Sequence, residues 1–82
     1  MKKPKELSVE QQALLTEIGK RVKDLRTAKN MSYENMAEAI GVARNTYNLL
    51  ELGKINFQFC TLQQILKYHN KTISNFFKSL KT

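Results

Sequence analysis

The chain has 82 residues, and 14 basic against 7 acidic side chains give it a formal charge of +7. That length suits one domain with a thin core and not comfortably two. Cys60 is the only cysteine, so an internal disulfide is excluded, and no run of about 18 apolar residues is present to span a membrane. The charge favours a polyanionic partner, whether DNA, RNA or an acidic membrane surface, without choosing among them. A basic surface also simply keeps a small protein soluble. Lys2, Lys3 and Lys5 lead into Leu7, Ser8, Val9 and Glu10 and not into an apolar run, so no signal peptide is expected. The lone thiol fits a reducing compartment, and the expectation is a soluble cytoplasmic protein.

Ser8 with Gln11 three residues on has the form of a capping box. Behind it Leu14, Leu15, Ile18, Val22 and Leu25, in steps of three and four, draw one apolar stripe on a helix. Glu17, Lys20, Arg21, Lys23, Asp24 and Lys29 fall on the other side and read as a solvated face, with Lys20 and Arg21 able to add long-range attraction to phosphate. Asn30 suits a left-handed closing position, so the first helix is predicted over about residues 9–29. Ser32 is the next N-cap, and Met36, Ala37 and Ile40 face inward on a short second helix over about 33–40. Gly41 ends it, because a positive φ costs glycine least.

The third helix is predicted from Arg44 to Leu52, stopped by Gly53, with Tyr47 and Leu50 inward. Lys54 to Cys60 reads as a loop, with Thr61 as the cap of a fourth helix carrying Leu62, Ile65 and Leu66 on one face. Asn70 closes that helix, and Thr72 or Ser74 starts a fifth with Phe76, Phe77 and Leu80. No alternating run demands a sheet, and there is no internal repeat. The expected architecture is all-α: a compact five-helix bundle in a single domain of residues 1–82, with a polar tip before Leu7.

The informative stretch is residues 31–54. Ala37 is small where two steeply crossing helices must come close, Gly41 makes the tight turn, and Val42, Tyr47 and Leu50 lock the third helix onto its neighbour. The face left over is Arg44, Asn45, Asn48, Leu49 and Leu52. A helix held in this way fits a groove about 12 Å wide.

These residues, with Ile18 to Arg26, Glu51 to Lys54, Leu62 and Ile65, and Ile73 with Phe76 and Phe77, resemble the Xre/Cro type of helix-turn-helix proteins. That is the family of phage repressors and related bacterial regulators, and the resemblance covers about residues 18–77. It implies a phage-repressor-like bundle and a bacterial or phage-encoded regulator that binds double-stranded DNA as a dimer on a palindromic operator. It places Arg44 and Asn45 at base edges, where Arg donates twice to guanine and Asn pairs with adenine. It places Asn48 one turn on, within reach of bases or a phosphate, and Leu49 where an apolar side chain can pack on a thymine methyl. Tyr33, Thr46, Lys54 and Asn56 become the candidate phosphate contacts, which position the helix without reading sequence. Phe57, Phe59, Phe77 and Leu80 are candidates for the dimer interface, as is the N-terminal extension of the first helix.

Several positions depart from the family pattern. Tyr33 stands where Gln is common. Ala43 stands where a capping Ser or Thr is usual, a loss of about 1 kcal/mol. His69 and Lys71 occupy positions where relatives bury Leu and Val, which predicts a shallower C-terminal core.

Each singled-out residue also has a plainer reading. Arg44, Asn45 and Asn48 can be solvated surface groups. Leu49 and Leu52 can instead contact a protein partner, as in an antitoxin that masks its toxin. Cys60 reads as a small apolar filler, and His69 as a half-buried helix residue. Cys60 and His69 have no further Cys or His to join them, so no metal site is expected. One of Phe57 and Phe59 is expected in the core. No phosphate loop, nucleophile–base pair or paired carboxylates are present, so neither catalysis nor a cofactor is expected.

Overall fold

The structure is a computed structural model that describes residues 7–78. Five helices follow one another, α1 (Val9–Thr27), α2 (Tyr33–Ile40), α3 (Arg44–Glu51), α4 (Phe59–Tyr68) and α5 (Ile73–Lys78), and no strand occurs among the described residues. The fold is therefore all-α, as expected. Leu80 and the lysines at 2, 3 and 5 lie outside the described residues.

The helix starts follow side-chain chemistry. Ser8 accepts from the Gln11 N–H at 3.0 Å while Gln11 Oε1 accepts from the Ser8 N–H at 2.9 Å, so the capping box is complete. Ser32 accepts from the Asn35 N–H at 3.1 Å, and Thr72 Oγ1 from the Asn75 N–H at 3.0 Å. Asn30 and Asn70 adopt left-handed φ values of 56° and 58°. The chain leaves α4 through a Lys71 N–H bond to the Leu66 carbonyl at 2.8 Å, the wide bond that accompanies a left-handed cap.

Helix α4 starts earlier than the sequence implies. Phe59 is its first residue and Gln58 its N-cap, with no side-chain capping bond, so Thr61 lies inside the helix. Without a capping side chain, no local residue type marks that start. Cys60 consequently sits in the first turn and is exposed, not a core filler. Leu14 is also more exposed than its place in the α1 stripe predicts.

The core gathers Ile18 and Val22 from α1, Met36 and Ala37 from α2, Tyr47 and Leu50 from α3, Leu62, Ile65 and Leu66 from α4, and Phe76 from α5. Ile73 and Phe77 pack against it from α5, and Phe76 meets Phe77 edge to face at 5.3 Å. His69 is half-buried, as read, and its Nε2 has no hydrogen-bond partner. Burial, then Lys29 and Lys71, hold its pKa below the ordinary value.

Candidate nucleic-acid interface

Helix α3 has eight residues and divides into a buried and an outward face. At about 100° per residue, Arg44, Asn48, Leu52, Asn45 and Leu49 span an arc of about 140°. Tyr47, Leu50 and Glu51 lie off that arc and are buried.

The connection that aims α3 is built from backbone. Gly41 takes a φ of 93°, and the N–H groups of Gly41 and Val42 both reach the Ala37 carbonyl at 2.9 Å. This left-handed cap ends α2 and turns the chain within three residues into the start of α3. Gln64 Nε2 donates to the Ile40 carbonyl at 3.0 Å, tying α4 to the same turn. Ala43 makes no side-chain cap, as its identity predicts.

The far end of α3 is held by α1, through contacts that sequence periodicity does not reveal. A Cβ on Gly19 would lie 2.4 Å from the Glu51 carbonyl oxygen and 2.5 Å from that of Leu50, so only glycine permits this approach. Gly53, at φ 71°, lies so close to Thr16 that a Cβ would come within 2.8 Å of its Cα. Gln12 Nε2 donates to the Gly53 carbonyl at 2.7 Å. Arg26 grips Glu51 with two donors, Nε to Oε2 at 2.7 Å and Nη2 to Oε1 at 3.0 Å, while Nη1 donates to the Met31 carbonyl at 2.8 Å.

The Arg26 and Glu51 side chains are only 13% and 4% exposed, and the guanidinium is satisfied on three nitrogens. The bond to Glu51 outweighs burial and raises the Arg26 pKa, so the guanidinium stays charged. The Tyr47 hydroxyl is buried against Glu51 and Arg26, without the geometry of a hydrogen bond to either. Burial first, and then Glu51, push its pKa well above the ordinary phenol value.

On the outward arc, Arg44 and Asn45 are exposed and Asn48 and Leu49 are partly so. Leu52 is 53% exposed. The N-terminal half of the face is thus polar and the C-terminal half apolar. Arg44 Nη2 lies 3.1 Å from Glu38 Oε2 of α2, an ion pair across the turn that sequence reading missed. Thr46 and Asn56 meet on one cleft, beside Gly41 to Ala43 and the start of α4. Lys54 is exposed just after Gly53, and its N–H donates to the Leu49 carbonyl at 2.9 Å. Tyr33 is half-buried with its ring against the core.

Of the aromatic residues expected at a subunit contact, Phe57 and Phe77 pack on the core and Phe59 remains 58% exposed. No helix among the described residues is long and apolar enough to cross a membrane. No group of three or more His, Cys, Asp or Glu side chains among them is placed to hold a metal.

The profile of the helix-turn-helix family matches residues 22–76, which spans α2, the Gly41 turn, α3 and α4. The chain belongs to the helix-turn-helix family. Within it, the chain is 30% identical over 59 residues to the HTH-type transcriptional regulator PuuR of Escherichia coli K12. That match covers 72% of this chain and 32% of the relative, so this helix-turn-helix chain spans about a third of the length of PuuR. An uncharacterized HTH-type transcriptional regulator of Archaeoglobus fulgidus is 35% identical over 57 residues, 70% of this chain and 80% of that one. Both matches are shorter than the described part of the chain, and the family profile begins only at residue 22, within α1.

Proposed function

We propose that residues 1–82 form one DNA-binding domain of a transcriptional regulator, a repressor that lays α3 in the major groove of a specific operator. The observation that carries this reading is the division of α3. Its inner face is fixed by Tyr47, Leu50 and the Arg26–Glu51 pair, while Arg44, Asn45 and Asn48 face outward. A helix held on one side and polar on the other is what base reading in a groove about 12 Å wide requires. The similarity to proteins named transcriptional regulators supports the regulatory half of the reading.

In this reading Arg44 and Asn45 contact base edges, Asn48 and Leu49 extend the contact by one turn, and Tyr33, Thr46, Lys54 and Asn56 anchor the backbone. One short helix offers few base contacts, so specificity calls for two copies on half-sites roughly 34 Å apart. Of the three phenylalanines expected at a subunit contact, Phe59 is the exposed one and is available for that pairing. The protein acts where the chromosome lies, in the cytoplasm.

Selection from a pool of random duplexes at moderate salt tests the proposal. A recurrent motif with two-fold symmetry is the expected result, and return of no motif overturns it. A second reading, in which α3 masks a protein partner, draws on the exposure of Leu52, and it gains if no motif is returned.

A further inference from the structure

We propose that Glu38 is a positioning and specificity-determining residue for the base contact made by Arg44. The proposal rests on the reading of α3 as the base-reading helix. Glu38 lies on the last turn of α2 and Arg44 on the first turn of α3, and the Gly41 turn brings Glu38 Oε2 to 3.1 Å from Arg44 Nη2. The two side chains remain 66% and 59% exposed. A pair so open to water contributes little to holding the fold together. Its consequence falls instead on what the Arg44 head group can do.

Three features give Glu38 this control. First, Arg44 opens a helix whose N-terminus carries partial positive charge and whose cap residue, Ala43, supplies no side-chain acceptor. A cation there is repelled by its own helix, and Glu38 provides the compensating negative charge. Second, no other carboxylate of these elements serves Arg44. Glu51, the one acid of α3, is engaged by Arg26, and Glu34, one turn back along α2, also acts on Arg26. Third, Glu38 occupies a single nitrogen. Whichever Nη2 hydrogen it takes, one complete two-donor edge of the guanidinium stays free, and that edge is what O6 and N7 of guanine accept.

A phosphate accepts an arginine from many directions, whereas guanine accepts it in one plane. The Glu38 carboxylate narrows the directions open to Arg44 and repels phosphate from the same spot. It therefore lowers binding to any DNA and sharpens binding to the correct base pair.

The test uses Glu38→Gln and Glu38→Ala, alone and combined with Arg44→Ala. Binding is measured to the duplex selected by the wild-type chain, to its single-base-pair variants and to unrelated duplex. Both Glu38 variants are expected to bind unrelated duplex more tightly and to lose discrimination at one base pair by roughly five-fold, the low end of what one mismatch costs. Both changes should vanish in the Arg44→Ala background, with the thermal midpoint unaltered throughout. Unchanged discrimination, or an equal change without Arg44, overturns the role of Glu38 while leaving α3 as the reader. Failure of the wild-type chain to select any motif overturns both.

Discussion

The two faces of α3 follow opposite rules although they share eight residues. The inner face is dry and over-determined: Tyr47, Leu50 and Glu51 are buried, Gly19 admits no side chain, and the ion pair is satisfied by three nitrogens of Arg26. On the outer face Arg44 and Asn45 are exposed, Asn48 and Leu49 are half-buried, and Arg44 pairs with Glu38. In the proposed reading, stability and recognition are thereby separated across one helix. Sequence changes on the outer side would then alter what is read without loosening the reader, and changes on the inner side would remove the reader altogether.

The largest expected effects test the inner face. Glu51→Ala leaves the Arg26 guanidinium buried without its carboxylate, and such a loss costs about 3–5 kcal/mol, a large share of the stability of so small a domain. Gly19→Val drives side-chain atoms into the carbonyls at the end of α3, where the obstacle is backbone and cannot swing aside. Chemical denaturation should find either variant largely unfolded. A native-like midpoint for both would show that α3 is not held as described.

A change outside the inner face should leave the fold intact and alter binding alone. Lys54→Ala should weaken binding to specific and unrelated duplex alike and reduce the salt slope by about one phosphate contact. An unchanged slope removes Lys54 from the backbone contacts.

His69 supplies a smaller effect of the opposite kind, on stability without reading. Its pKa in the fold lies below the ordinary value, so the unfolded chain binds the proton more readily. Stability is then complete above the ordinary histidine range and declines as pH falls through it toward the folded value. Thermal melts between pH 7.5 and 5.5 should show a modest loss that His69→Leu removes. A loss of the same size in that variant would place the sensitivity elsewhere.

The smallest effect is expected for Tyr47→Phe. The hydroxyl is buried without a hydrogen bond, so deleting it should change stability by no more than about 0.5 kcal/mol, or raise it. A loss well above that would mean the hydroxyl bonds to Glu51 in solution.

What could be read from sequence was whatever acts over short separations. Ser8, Ser32, Thr72, Asn30, Asn70 and Gly41 signal their helix ends through bonds to residues a few positions away, and the structure has them in those roles. The start of α4 escaped because Gln58 caps with backbone alone. The devices that aim α3 escaped for a different reason. Arg26 and Glu51 are 25 positions apart, too far for helical periodicity to pair them, and Gly19 interrupts an apolar stripe without changing its period. The outward arc was legible because removing the inward residues from an eight-residue helix leaves little else. The Arg44–Glu38 pair was not legible, because its six-residue spacing belongs to the turn and not to either helix.

In the proposed reading, the outer face of α3 reads bases while the inner face only holds it. The most direct measurement compares wild type and Arg44→Ala on the selected duplex and all its single-base-pair variants, alongside thermal midpoints. Loss of preference at one base-pair position, by about 1–3 kcal/mol, with an unchanged midpoint is the predicted result. A uniform loss across every duplex, or a lowered midpoint accounting for the weaker binding, would contradict it.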